Sequence, residues 1–435
     1  DSARGGRRTA AEQRMMSKDV AETIRRSAAR LALAATLAAL LSSNAQAGQQ
    51  REAGEQRRPV TYRTLQVDMD ARPGSLQFVP ADDGSRYLAY NLFVANWGGE
   101  DLRFARLDVE DEATGRPLAG YDAAALESPR RQRSTQWIQG QASPENRMLG
   151  AGRTAVFTIA VRLEQGARAP AAIRHRIRFE PDPRLRMIRD DGAFSGELVS
   201  VSPPQPIDGP APLAIGAPLR GGPWRCGNGL GLASDHGALY ASRTARLRVP
   251  QRFGCDFLKV DPQGNILPNP FPDEITAAMF YGYGEDVLAV ADARVVEVRD
   301  GIPEGVPQVD GSVRMPVPYT EDTGPGNRVV LDLGGGRYAF YAHFRPGSIQ
   351  VRRGERVREG QVLGKVGMAG NATNPHLHFH IGNGPSLNGS DGMPYVFRSY
   401  VLNGRGRPNA APVPIRRAVP LQDSIMTFPG PTRRR

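Results

Sequence analysis

Lysine, cysteine and long apolar runs are scarce in this 435-residue chain, and each scarcity excludes something. Three lysines (Lys18, Lys259, Lys365) leave arginine as 53 of the 56 basic residues. The arginines are scattered except at the two ends. The net charge of +11 therefore reads as the codon bias of a GC-rich genome rather than a phosphate-tracking surface, and no nucleic-acid partner is expected. Two cysteines, Cys226 and Cys255, are too few for a disulfide-stapled miniprotein. A chain of this length predicts two or three domains, each with its own core. Whether the two cysteines pair, closing a loop of about 30 residues, or remain buried thiols stays open here; pairing would fit an oxidising compartment. No apolar run reaches the about 20 residues that a membrane helix needs, so no stable membrane span is expected.

Glycine (49) and proline (36) are abundant, which favours short strands and many turns over long helices. The expected fold is mostly β. The one apolar run of note, Leu31 to Leu41, follows Arg25, Arg26 and Arg30 and precedes Ser42-Ser-Asn-Ala-Gln-Ala47, which ends in a small-x-small pattern. That order is an export signal. Residues 1–47 are expected to be an upstream extension plus signal peptide, with the mature chain starting near Gly48 in the periplasm or at the surface of a bacterium.

From Val60 to about Pro181, alternating apolar and polar runs such as Tyr87–Val94, Leu102–Val109, Thr154–Leu163 and Ile173–Phe179 predict an antiparallel β-sandwich-like domain over 48–200. It holds no catalytic constellation, and His175, between arginines, is expected on a solvated strand face. The sandwich is expected to position or shield the domain C-terminal to it, and its removal to leave any metal site intact. Residues 201–223, rich in proline and glycine, read as a semi-rigid linker with a boundary near residue 205. A second β domain is expected over 224–402, and 403–435 as a loosely docked Pro/Arg-rich tail.

Five of the six histidines lie in the second domain, three of them in His376-Leu-His-Phe-His380. Strand alternation points these three imidazoles to one side and Leu377 and Phe379 to the other. Imidazole is both a zinc ligand and an acid/base near neutral pH, so the cluster is a candidate site in itself.

Several segments in order then resemble the lysostaphin-like (LytM-type) zinc peptidases, which cut peptide cross-links in bacterial peptidoglycan. They are Tyr283–Val296, Gly326–Leu331, Tyr341-Ala-His343, Val351–Gly364 and Asn374–Phe379, within about residues 250–385. The resemblance implies a small antiparallel β core with a groove over one sheet. It assigns Asp256 and His378 as Zn2+ ligands, and His343 and His376 as catalytic groups acting on a zinc-bound water and the scissile carbonyl. The family's His-x-x-x-Asp ligand pair is broken here, because Arg252 stands four before Asp256. On one strand face Arg252 would pair with Asp256 and fill the metal position. His236, 20 residues ahead of Asp256 and placed across a possible hairpin, is the expected replacement ligand, with His380 as the other candidate. Asp286, Asp332 and Asp391 are candidate imidazole orienters or turn residues, and Trp224 and Tyr283 candidate groove walls or packing.

The leading expectation is a zinc-dependent endopeptidase acting on peptidoglycan peptide cross-links. The alternative is a metal-free LytM-type domain that binds wall peptides or regulates a partner hydrolase in the cell envelope. A third class is an extracellular adhesion or assembly protein acting through its sandwich.

Overall fold

Alternation governs the first half. In Ala172–Phe179 the buried positions are Ile173, His175, Ile177 and Phe179, with the arginines between them facing outward. The structure, a computed structural model, describes residues 60–127, 135–137, 147–231, 234–242, 247–269 and 274–430. Residues 1–47, the expected extension and signal peptide, lie outside the described residues. Two units divide the chain, Asp1–Thr61 with Pro183–Arg186, and Tyr62–Asp182 with Met187–Arg435. In the described part of the first, Val60 N–H donates to the Arg184 carbonyl at 2.5 Å. The second unit carries both the sandwich and the histidine cluster.

The N-terminal part of this second unit has two antiparallel sheets. One orders Val67–Arg72, Arg86–Asn96 and Thr154–Leu163. The other orders Leu198–Val201, Ala172–Phe179, Leu102–Asp111 and Pro117–Asp122. Phe157 of the first meets Phe104 of the second edge to face at 4.9 Å, so the inner faces close a core whose aromatic members would each cost about 3–5 kcal/mol to truncate. His175 belongs to this core rather than to a solvated face. It is fully buried, with Nε2 2.7 Å from the Tyr90 hydroxyl of the other sheet and Nδ1 3.2 Å from Ser202 Oγ. The flanking arginines concealed that it shares the face of the two isoleucines.

The C-terminal part is built on one long sheet. Its order is Leu213–Ile215, Tyr395–Arg405, Ser424–Phe428, Gly221–Gly227, Cys255–Lys259, Leu377–Gly382, Tyr338–Phe344, Asn327–Asp332, Ala293–Arg299 and Arg356–Val357. One face is packed by Trp224, Phe257, Tyr341, Phe379, Phe397 and Phe428. The other carries the histidines.

Two expected boundaries fall inside this architecture. Residues 201–223 are not a free spacer, because Gln205–Pro206 adds to the sandwich strand Ala172–Phe179 and Leu213–Ile215 pairs in parallel with Tyr395–Arg405. Nor is 403–430 a loose tail, since Ser424–Phe428 lies between two strands of the sheet with Ile425, Met426 and Phe428 buried. A five-residue apolar strand amid proline and arginine gives too short a periodic signal to read. The two domains also share a core. Val79 and Ala81 of the sandwich sit in the second domain's apolar cluster, Val419 N–H donates to the Pro80 carbonyl at 2.9 Å, and Arg405 pairs with buried Asp82 at 2.7 Å.

Candidate metal centre

Register builds the site. Asp256 stands directly opposite His378 in the sheet, and His380 opposite Phe340, so all four share a face while Cys255, Leu377 and Phe379 enter the core behind. His378 Nδ1 is 2.9 Å from Asp256 Oδ1, and a carboxylate only accepts, so Nδ1 carries the proton. His378 Nε2 is 2.9 Å from His380 Nδ1, which then donates to it; the His380 ring stacks on Phe340 at 4.5 Å. The remaining oxygen of Asp256 accepts from Asn228 Nδ2 at 2.9 Å and lies 3.4 Å from His236 Nε2. His236 comes from a short 3-10 turn, Asp235–Ala238, rather than from a hairpin strand, and it packs edge-on against His378 at 4.7 Å.

His343 needs a local device to reach this face. Tyr341 points into the core, and strict alternation would send His343 after it. Instead the pairing slips: Val329 opposes Tyr341 but Asn327 opposes Phe344, which leaves one extra residue on the His343 strand. His343 takes up that bulge with φ +66, a left-handed conformation uncommon for a side chain with a Cβ. Its ring comes to 4.7 Å from His376 and 6.1 Å from His378. Nδ1–H donates to the Ala369 carbonyl at 2.7 Å, and Nε2 is left as the basic nitrogen. His376 repeats the arrangement, with Nδ1 2.8 Å from the Asn374 carbonyl and Nε2 3.6 Å from Asp256.

Burial sets the electrostatics. It pushes His343 down to about 3, helped by the neighbouring rings of His376 and His378. Burial lowers His378 as well, although its bond to Asp256 pulls the other way, and it holds His380 far down. Alone, burial would raise the Asp256 carboxyl; the imidazoles of His236, His376 and His378 outweigh it and keep the group well below the usual carboxylate range. One buried anion is thus ringed by imidazoles, an arrangement suited to a cation. The donor atoms of His236, Asp256 and His378 lie within 4.8 Å of one another.

Arg252 does not fill that space. It sits in the turn closed by Gly254 N–H to the Gln251 carbonyl, before the strand begins at Cys255, so the i, i+4 rule of strands does not apply. Its Nε donates to Asn91 Oδ1 at 2.8 Å and NH1 to the Gly392 carbonyl at 3.3 Å. Gly254 matters in its own right, because a Cβ there would lie 2.7 Å from His236 Nδ1. The cysteines are joined, Cys226–Cys255, with Cα atoms 5.5 Å apart, which ties the strand leading to Asn228 to the one carrying Asp256.

The remaining candidates are structural. Asp286 pairs with Arg220 and Lys365, Asp332 caps a turn at Gly334, and Asp391 accepts from Arg248 and Val249. Trp224 is fully buried and Tyr283 bonds Glu304 at 2.9 Å. Sequence reasoning missed Asn228, Gly254 and the acceptor carbonyls of Ala369 and Asn374, none of which carries a chemical signature of its own. Among the described residues no helix is long and apolar enough to cross a membrane.

Residues 276–389 match the sequence profile of peptidase family M23, a span that contains His343, His376 and His378 and begins after His236 and Asp256. Solved structures to which the chain is similar include the catalytic domain of the antimicrobial peptidase lysostaphin from Staphylococcus simulans, at 25% identity over 29% of this chain and 84% of that one, TM-score 0.19. An M23 protein EnpA catalytic domain from Enterococcus faecalis gives 19% identity over 40% and 93%, TM-score 0.23. A zinc containing peptidase from Vibrio cholerae gives 15% identity over 70% and 81%, TM-score 0.20. By the profile match, residues 276–389, which carry His343, His376 and His378, are the peptidase family M23 part of this chain.

Proposed function

We propose that the chain is an exported zinc-dependent endopeptidase that hydrolyses peptide cross-links of peptidoglycan. The observation that carries this reading is the convergence of His236 Nε2, Asp256 and His378 Nδ1 beside two further imidazoles whose Nδ1 atoms are already committed to backbone carbonyls. Two imidazoles and a carboxylate are a catalytic zinc donor set with a fourth position open, and bonds of about 2.0–2.2 Å put tetrahedral ligand atoms about 3.3 Å apart. The three donor atoms, one from each residue, lie within 4.8 Å of one another. Zinc bound there would acidify a water and polarise the scissile carbonyl.

The rest falls to side chains. Ligation through Nδ1 would call for the other tautomer of His378: its Nδ1 proton would leave, the proton on His380 Nδ1 would pass to His378 Nε2, and His380 would take one on its own Nε2, so that His378 Nε2–H donates to His380 Nδ1, the orienting role that a second group plays behind most metal-binding histidines. His343, neutral at working pH, takes the proton of the attacking water on Nε2 as the carbon–oxygen bond forms. His376, whose Nδ1–H is held by the Asn374 carbonyl, would stabilise the developing oxyanion only in the imidazolium form, with a second proton on Nε2 to donate. As the carbon–nitrogen bond breaks, the protonated imidazole of His343 returns its proton to the departing amine.

Export is supported by the 25–47 segment and by the Cys226–Cys255 bond, which persists in oxidising compartments. N-terminal sequencing of protein from the native host should give a start near Gly48; retention in the cytoplasm with an intact leader would defeat the proposal. For the activity, purified protein should hold one zinc and cleave cross-linked muropeptides, and chelation should abolish cleavage. Arginine in place of the motif histidine at 252 leaves one alternative, a metal-free wall-binding module. Zinc-free protein that binds the same peptides without cutting them would establish it.

A further inference from the structure

The residue that replaces the family's first ligand reaches across to the sandwich. Arg252 is 4% exposed, and its Nε donates to Asn91 Oδ1 at 2.8 Å. Asn91, on Arg86–Asn96, is fully buried and spends its other end on the site: Nδ2 donates to the Gly237 carbonyl at 3.0 Å. Gly237 comes directly after His236 in the chain, within the same short turn. Thr158, opposite Asn91 in the sheet, adds a second donor to that carbonyl at 3.5 Å. Ser234 at the start of the turn makes no side-chain cap, its Oγ donating instead to the Asn228 carbonyl at 2.6 Å, and the four residues form less than two turns of 3-10 helix.

We infer that Asn91, oriented by Arg252, is a positioning residue for His236, so that the sandwich domain is part of the metal centre rather than an appendage to it. The inference rests on His236 being a metal ligand, as proposed above. A carboxamide is the group this place requires. It offers an acceptor to a buried guanidinium and, on the same planar head, a donor to a backbone carbonyl. A metal ligand on a four-residue turn must be held within a few tenths of an ångström, and the Gly237 carbonyl, one residue on, is a backbone handle on it.

The test uses the full mature chain and zinc affinity measured by competition with a chromophoric chelator. Asn91→Asp keeps the acceptor for Arg252, and forms an ion pair with it, but loses the donor to Gly237. It should weaken zinc binding about 10–100-fold, the usual effect of removing an outer partner of a ligand, while the melting temperature of the metal-free protein holds or rises. In a His236→Ala background the same change should have no further effect, because groups that act through one another are not additive. Arg252→Met, which removes a buried charge but keeps the stem, should weaken zinc in the same direction and serves if Asn91→Asp does not fold. Wild-type affinity in Asn91→Asp or, if that fails to fold, in Arg252→Met, or additivity with His236→Ala, would overturn the inference. Zinc retained in His236→Ala with wild-type affinity would instead remove the ligand assignment on which it rests.

Discussion

Substituting Gly254 by alanine tests the seat of His236 by a single methyl group. The φ angle of Gly254 is outside the left-handed region, so the backbone accepts alanine. The added Cβ would lie 2.7 Å from His236 Nδ1, 3.2 Å from its Cε1 and 3.0 Å from the Gln251 carbonyl oxygen. Ordinary contact needs about 3.5 Å, so the ring must recede by about 0.8 Å. Metal bonds tolerate about 0.2 Å. The His236 turn yields more easily than the Gln251–Gly254 turn, which is closed by its own 2.7 Å hydrogen bond. Zinc affinity should therefore fall by at least about 10–100-fold, the range seen when a ligand's support is disturbed. Stability of the metal-free protein should change by no more than about 1 kcal/mol, since alanine's lower unfolded-state entropy opposes the clash. Chelator competition reads the first quantity and urea unfolding the second. Gly254→Ala protein that binds zinc like wild type would refute the packing argument, and with it the claim that Nδ1 is the back of the ring and Nε2 its metal face.

His343→Ala should lower cross-link hydrolysis by about 10²–10⁴-fold with zinc still bound stoichiometrically; full turnover in that variant would remove its assigned role. A separate prediction concerns acid stability. Burial drives His175 from 6.5 to about 4, so between those values the unfolded chain binds a proton that the folded chain does not. This cost is absent above pH about 6.5, grows as pH falls, and reaches about 3 kcal/mol near pH 4. The urea midpoint of wild type should drop over that window, and His175→Gln should flatten the profile; parallel profiles would contradict the buried neutral state. Replacing Cys226 and Cys255 together by serine opens a bridge with sequence separation 29 and should cost about 3–4 kcal/mol in unfolding experiments.

The fold was legible wherever periodicity ran long enough. Arg86–Asn96 and Thr154–Leu163 each gave ten or so alternating residues, and both are strands of the sandwich. What escaped was pairing between distant segments. Nothing in Leu213–Ile215 announces a partner at Tyr395–Phe397, and the apolar residues of Ser424–Phe428 look like a fragment of tail until a gap between two long strands is there to receive them. His175 shows the converse failure, in which charged neighbours outweighed an alternation that was already present in the sequence. The face shared by His378 and His380 came from strand geometry alone. The bulge that brings His343 to the same face did not, because a one-residue slip in register leaves no compositional trace.

Arg252 shows how far a missing motif residue can mislead. Read as a strand residue it threatened Asp256; in the structure it belongs to a turn, and its charge is directed to an asparagine 161 positions earlier. With His236 as the replacement ligand, as proposed, the same turn would account for the lack of a histidine at 252, and removal of the sandwich should then weaken metal binding, against the expectation of separable domains. A side chain carried on a strand inherits the rigidity of the sheet, as those of Asp256 and His378 do through their register. One carried on a four-residue turn, like His236, must borrow rigidity from whatever packs behind it, which here includes Asn91 and Thr158. On the proposed ligand set, the break in the ligand motif and the joining of the two domains are linked through this turn. A second M23 chain with arginine at this position should, by the same reasoning, present a polar side chain from outside the peptidase sheet to the turn that bears its replacement histidine.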